Sequence, residues 1–325
     1  MNTSSAYSSA APCPLTACKK TSLSLIKLLS AYEISVPSSL IASKVGGLIS
    51  LNEDFKIYWN NFPIAKLRAG SDYLNPNFDL IVDDIIEQNT KQKLNDYINK
   101  WMHAKINNVL KSLIDLKNIK ENNSSIKALA YQLYENNGVL KRDQVSEYLK
   151  NLKQNERKIL RDLGVKFGRY HVFLYQLIKP EPVSLRTLLW KNFYQKFHNL
   201  KPPTFGLNFL DDKEIKNKNF MLLCGFERFD NFFVRIDILE RLFVLIINSS
   251  AKENSEVKLV PEMLNLLGCN KENFKKLLQK MNYKIFDKEN ETFFKYNPTK
   301  KFKKVTTKKI SKENPFKILK NLNLN

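Results

Sequence analysis

The chain has 325 residues, 43% of them hydrophobic and 26% charged, with a formal net charge of +21 at pH 7. This composition excludes a largely disordered chain, and the length allows two or three small domains. The basic excess predicts an anionic partner, with nucleic acid first and an anionic membrane surface second. Because AT-rich coding can also enrich a chain in lysine, clusters of charge carry more weight than the total.

The N-terminal residues 1–20 are rich in Ser, Ala and Pro and predict a disordered tail. A mitochondrial transit peptide is the alternative, but such peptides are usually rich in arginine, which favours a bacterial cytoplasmic protein. No apolar run reaches the roughly twenty residues of a membrane span, so no membrane association is expected. The four cysteines, Cys13, Cys18, Cys224 and Cys269, contain no CxxC pair. Free thiols in a reducing compartment are therefore favoured over a zinc site. No cofactor is expected.

The segment 21–76 predicts a small α/β subdomain, with strands at Leu48–Leu51, Phe55–Trp59 and Phe62–Leu67. Residues 77–200 predict a helical domain, because apolar residues recur there at steps of three and four. Residues 201–220 contain Pro202 and Pro203 and a charged run, and they predict a linker between domains.

A stretch dense in apolar and aromatic residues runs from Leu163 to Pro180, inside the predicted helical domain. Its alternation predicts a short bent strand pair with Gly168 at the bend, and a helix is expected to follow from Val183. The three histidines of the chain lie far apart in sequence, and His171 in this stretch is interpreted as a core histidine rather than a catalytic base.

The predicted C-terminal domain, residues 221–297, shows the order helix, short strand, helix, tight turn, helix and hairpin. The turn is placed at Gly268, and the order is typical of a winged helix-turn-helix. The predicted fold class is therefore mostly α with small β elements, with a helical central domain plus a C-terminal winged helix-turn-helix. The second helix of such a turn pair can enter a major groove.

Lysines dominate that helix and the basic tail at residues 298–325. The helix carries no arginine, so we expect contacts with phosphates rather than sequence-specific reading of bases. An ordinary solvated helix face, a protein-docking module and a flexible electrostatic arm are the alternatives. The predicted nucleic-acid-binding residues are Lys271, Lys275, Lys276, Lys280, Lys300, Lys301, Lys303, Lys304, Lys308 and Lys309.

Four segments carry a resemblance to a known family. LGVKFGRYHVFLYQLIKP, followed by LRTLLW, resembles the C-terminal region of the alphaproteobacterial helicase-related proteins. These are superfamily two helicases akin to the mitochondrial RNA helicase of the RNA degradosome. The other three segments resemble the same family in the same order, and they are Ile57–Arg68, Phe226–Leu242 and Pro261–Tyr283. The resemblance implies a region that accompanies an ATP-hydrolysing motor.

The motor itself is missing from the sequence, which has neither a GxxxxGK[ST] loop nor a DExH or DExD box. We therefore expect a non-catalytic accessory region of a helicase that binds RNA or DNA, with a separate motor subunit as a possible partner. A protein-interaction scaffold without nucleic-acid contact and the remnant of a full helicase are the alternatives. An intrinsic hydrolase would need a site that the sequence does not show.

Overall fold

The computed structural model describes residues 49–59, 61–81, 88–119, 123–211, 217–250 and 256–297. About 50% of these residues are helical and 26% lie in strands, arranged as ten helices and four small antiparallel sheets. The predicted fold class is therefore wrong: the described chain is a mixed α/β arrangement and not clearly of the winged-helix class. The error arose because many strands are only three or four residues long, which is too short to show an alternating pattern.

Contacts divide the chain into two compact units, one ending at Glu240 and one beginning at Arg241. The predicted boundaries at residues 20, 76, 200, 220 and 297 stay predictions. Each unit is described by itself below.

The first sheet has the strand order β1–β2–β3–β4, formed by Ile49–Leu51, Lys56–Trp59, Phe62–Asp72 and Asn75–Leu80. Asn61 adopts a φ of 70° in the turn before β3, a conformation that asparagine tolerates well. β4 lies where a helix was expected from residue 77. It pairs with β3 in a register that places Phe78 opposite Leu67, so strand pairing prevails over the helical spacing.

Five helices follow, and they bury one apolar face each against the core of this unit. In the longest, Leu94, Ile98 and Ile106 are at most 4% exposed, which confirms the expected amphipathic pattern. The helices are α1 (Gln88–Val109), α2 (Lys111–Lys117), α3 (Ser124–Glu135), α4 (Ser146–Asn151) and α5 (Gln154–Asp162).

The stretch Leu163–Pro180 forms the predicted bent strand pair. β6 (Val165–Phe167) and β7 (His171–Leu174) flank the bend, and β5 (Val139–Lys141) completes a sheet of order β5–β7–β6. A 3-10 turn at Tyr175–Ile178 leads into α6 (Pro180–Phe193). The helix begins at the proline, three residues before the expected start, because proline lacks the N–H that the first helical position leaves unused anyway.

The last sheet of the first unit has the order β8–β10–β9 and precedes α8. Its strands are Phe209–Asp211 (β8), Phe226–Phe229 (β9) and Phe232–Arg235 (β10), with α7 at Lys218–Leu223 and a 3-10 turn at Gln195–Phe197. Helix α8 (Ile236–Ser250) continues from β10 past Glu240, the last residue of this unit.

One guanidinium is buried in this unit without a carboxylate partner. Arg186 on α6 is 1% exposed and donates to the backbone oxygens of Asn137, Leu177 and Leu223 at 2.8, 2.6 and 3.0 Å. These oxygens lie at or just after the C-terminal ends of three helical segments, where the helix dipole is negative. Burial lowers the pKa of Arg186 to about 10, so it stays charged near neutral pH and ties the three ends together.

The second unit places a three-stranded sheet against helices. β11 (Glu256–Lys258) is followed by α9 (Pro261–Leu267), α10 (Lys271–Lys280), β12 (Tyr283–Lys288) and β13 (Glu291–Tyr296). The sheet order is β11–β13–β12. Gly268 ends α9 with a φ of 68°, so it forms the tight turn that the sequence predicts there. The fully buried side chains Phe274, Leu277 and Phe294 form part of its core.

Candidate nucleic-acid interface

Helix α10 presents its predicted lysines on the side away from the core. The Asn270 side chain caps the helix by accepting from the Asn273 N–H at 2.8 Å. The face opposite the lysines is buried, with Phe274, Leu277 and Leu278 at most 1% exposed. Lys271, Lys276 and Lys280 are exposed along this helix, as expected from the sequence.

The fourth predicted lysine of this helix, Lys275, is half-buried and already has an anionic neighbour. Its ammonium lies 3.5 Å from the Asp287 carboxylate of β12, which also accepts from the Thr292 hydroxyl at 2.6 Å. The Thr292 hydrogen bond, followed by Lys275 and Lys271, holds the pKa of Asp287 below its usual value. A phosphate approaching Lys275 therefore has to compete with a carboxylate of the chain itself.

The remaining six predicted residues belong to the basic tail. They lie outside the described residues, and they are Lys300, Lys301, Lys303, Lys304, Lys308 and Lys309.

Sequence reasoning missed a second lysine-bearing surface, the outer face of the β11–β13–β12 sheet. Directly opposed residues of antiparallel strands point to the same side. Lys284 therefore shares this face with Lys295, and Phe286 shares it with Phe293. Lys258 lies opposite Phe293 on the edge strand. The signal in the sequence is a period of two, because Lys284, Phe286 and Lys288 alternate with residues of the inner face.

Two glutamates also lie on this outer face and partly offset its charge. Glu291 pairs with Lys258, and Glu256 accepts from the Lys288 ammonium at 2.8 Å. The face thus carries four lysines (Lys258, Lys284, Lys288 and Lys295) against two carboxylates. Exposed pairs of this kind contribute little stability, and a phosphate at Lys258 or Lys288 would compete with the carboxylate partner, as at Lys275.

A weaker basic region lies in the first unit. A cavity of about 490 Å³ is lined by Lys105, Lys191 and Lys201 together with Glu53 and Glu181. Three ammonium groups against two carboxylates leave this cavity with only a small positive excess. It was not predicted from the sequence, because its lysines come from α1, α6 and the chain after α6.

The apolar stretch around His171 contains a buried charge network. The His171 ring lies between the carboxylates of Glu240, 3.0 Å from Nδ1, and Glu227, 3.6 Å from Nε2. Lys141 approaches Glu227 at 2.5 Å. His171, Glu227 and Glu240 are all less than 9% exposed. Because each ring nitrogen faces a carboxylate inside the protein, this geometry agrees with the interpretation of His171 as a core residue.

Charge within the network shifts two pKa values in opposite directions. Burial lowers the pKa of His171, but the Glu227 and Glu240 carboxylates outweigh it, so the pKa lies above the usual 6.5. Burial likewise acts to raise the pKa of Glu227, but His171 and Lys141 hold it below the usual 4.5. Glu240 also accepts hydrogen bonds from the backbone N–H groups of the bend before β7.

The described residues include His, Asp and Glu side chains, which are potential metal ligands, and the buried cysteine Cys224. No three His, Cys, Asp or Glu side chains among them are grouped so as to hold a metal ion. Burial raises the pKa of Cys224 to about 12, which leaves a poor nucleophile. In the same part of the chain, no helix combines the length and the apolar character needed to cross a membrane.

Comparison with known proteins gives no family for the chain. No family model, no curated protein and no solved structure matches it. The helicase resemblance therefore depends only on the four sequence segments, and the function has to be argued from the two lysine-bearing surfaces of the second unit.

Proposed function

We propose that the chain is a non-catalytic accessory region of a helicase that binds RNA or DNA through phosphate contacts, without reading base sequence. The exposure of Lys271, Lys276 and Lys280 along α10 carries this proposal. Lysine offers a point charge rather than the planar fork with which arginine recognises a guanine edge, so the contacts are expected to be sequence-blind. The motor would belong to a separate subunit, and the proposed compartment is the bacterial cytoplasm.

Three phosphate contacts predict a measurable salt dependence. At about 0.9 counterions released per contact on duplex DNA, the slope of log K against log salt is about −2.7 from these lysines. Affinity should then fall about 40-fold between 50 and 200 mM salt. Lys275 is left out of this sum because of its pairing with Asp287, and any contact by the tail would make the slope steeper.

The test is a charge-reversal variant of the full chain, Lys271→Glu, Lys276→Glu and Lys280→Glu, titrated with a duplex and a single strand at several salt concentrations. We expect weaker binding and a salt slope on duplex DNA that is shallower by about 2.7. The matched control reverses three exposed lysines of the first unit, Lys100, Lys127 and Lys158, with the same change in net charge.

An unchanged slope in the α10 variant would reject this assignment. An equal loss in the control would also reject it, because total charge and not α10 would then determine binding. ATP turnover by the purified chain would overturn the non-catalytic part of the proposal.

A protein-interaction scaffold is the second candidate, favoured by apolar exposure on α8. Val244, Leu245 and Ile247 are 56%, 45% and 42% exposed, which is unusual for neighbouring aliphatic side chains on one helix. A scaffold whose lysines reflect composition alone predicts an affinity for nucleic acid that barely changes between low and moderate salt. The titration above therefore separates the two candidates.

A further inference from the structure

The outer face of the β11–β13–β12 sheet bears two phenylalanine rings that are not part of the core. Phe286 and Phe293 lie directly opposite each other, with ring centroids 6.2 Å apart and ring planes 12° from parallel. Both rings are half-buried. Their neighbours on β13, Thr292 and Phe294, are only 4% and 0% exposed because they point to the inner side. The ring pair is therefore a half-buried aromatic patch on the outer face of the sheet, not an extension of the core.

Lysines surround this ring pair on the same face. The Lys288 ammonium lies 5.0 Å from the Phe286 ring centroid and 5.8 Å from that of Phe293. Lys284 and Lys295 lie directly opposite each other at the far end of the hairpin. Like charges in opposed positions disfavour pairing of the strands. Glu256 lies opposite Lys295 on β11 and offsets part of this repulsion, and an anion bound beside Lys284 would offset the rest.

The occupant that matches both features has flat aromatic groups joined by negative charges. The two glutamates on the face, Glu256 and Glu291, already pair with Lys288 and Lys258 and leave two lysines in excess. Bases stack on aromatic side chains irrespective of sequence while lysines follow the phosphates. A duplex keeps its bases stacked on each other and cannot offer them to the rings, whereas a single strand can.

We infer that this sheet face is a stacking surface for single-stranded nucleic acid, with Phe286 and Phe293 contacting bases and the surrounding lysines contacting phosphates. The inference rests on the proposed function and adds a preference for single strands over duplexes. The inference also distinguishes two kinds of contact with nucleic acid, base stacking and phosphate binding. Stacking on uncharged rings changes affinity without changing the salt slope, whereas loss of the α10 lysines changes the slope.

The first experiment measures binding of the full chain with Phe286→Leu and Phe293→Leu to a (dT)12 strand and to a duplex of the same length. We expect at least about a fivefold loss of affinity for the single strand, with an unchanged salt slope and unchanged duplex binding. The control is Tyr296→Leu, which removes an exposed aromatic ring from the opposite face of the same hairpin.

The second experiment uses Phe286→Trp, which keeps an aromatic ring and reports on stacking directly. The native tryptophans, Trp59, Trp101 and Trp190, are at most 8% exposed, so quenching by bound (dT)12 would come from the added indole. The inference would be overturned, and the proposed function left standing, if binding of the single strand left this emission unchanged. The same conclusion would follow if the leucine variant bound the strand like the wild type. Failure of the wild type to bind any nucleic acid at low salt would overturn the proposed function as well.

Discussion

Substituting Glu240 by glutamine tests the physical basis of the stretch Leu163–Pro180. The Glu240 carboxylate accepts from the backbone N–H groups of Arg169, Tyr170 and His171, the last two at 2.9 and 2.8 Å, and it lies 3.0 Å from the imidazole of His171. A Cβ at Gly168 would collide with this carboxylate, so the bend encloses it closely. An amide of the same shape fits the space but lacks the charge.

The cost of this change can be estimated from the partners. Three N–H donors and one imidazolium lose a charged acceptor, and charge-assisted hydrogen bonds are about twice as strong as neutral ones. In addition, the amide NH2 group has to face at least one buried N–H, and an unsatisfied buried donor costs about 1–3 kcal/mol. The sum agrees with the 3–5 kcal/mol that removing one partner of a buried ion pair typically costs. We expect Glu240→Gln to lower the free energy of unfolding by about 3–5 kcal/mol.

The assay is urea unfolding of the full chain at pH 6, followed by tryptophan fluorescence. All three tryptophans lie in the first unit and are buried, so their emission reports on that unit. The control is Glu135→Gln on α3, which makes the same chemical change at an exposed position and should alter the free energy of unfolding by less than about 0.5 kcal/mol. A Glu240→Gln protein as stable as this control would refute the argument that the bend depends on a buried carboxylate.

Two further predictions concern pH and the second unit. Since the pKa of His171 is raised on folding and that of Glu227 is lowered, the network stabilises fully between the unfolded values of 4.5 and 6.5. The contribution of the network to stability is lost as pH rises through the folded pKa of His171 or falls through that of Glu227. The variant His171→Gln should therefore flatten the alkaline side of the profile of stability against pH. An unchanged profile would contradict this. Asp287→Asn should tighten binding to duplex DNA and steepen its salt slope by about 0.9, because Lys275 becomes available for a phosphate; a titration showing weaker binding would argue against that contact.

Local pattern predicted the elements whose signal lies within a few neighbouring residues. The strand pair around Gly168 and the turn at Gly268 were predicted because alternation and glycine act locally. The strand at Asn75–Leu80 was missed because its apolar residues also match the helical spacing, and only pairing with β3 decides between the two. The overall class was wrong for the same reason, since a three-residue strand such as β5 is defined by its pairing with β7 and not by its own sequence.

In the candidate site, too, features carried by neighbouring residues could be predicted, and features produced by tertiary packing could not. An amphipathic helix with lysines outside its apolar stripe is visible in sequence, so the exposed lysines of α10 could be predicted. The pairing of Lys275 with Asp287 could not, because the two residues are brought together by the packing of β12 beside α10. The Phe286 and Phe293 pair was also missed: the alternation shows which residues share a face, but not which face is exposed.

Charged groups have different roles in the two units, so their effects on stability and on binding can be separated by experiment. In the first unit, the Glu240 carboxylate and its partners are buried, where a lost partner is costly. In the second unit, the lysines of α10 and of the outer sheet face are exposed or lie in largely exposed pairs, where each contributes little to folding. A variant at Glu240 should therefore lower the free energy of unfolding while leaving the affinity of the folded fraction for nucleic acid unchanged. Charge reversal at Lys271, Lys276 and Lys280 should instead lower the affinity for nucleic acid and leave the free energy of unfolding nearly unchanged. If the Glu240 variant lost affinity while still folded, binding would depend on the first unit as well, and the assignment of the interface to the second unit alone would fail.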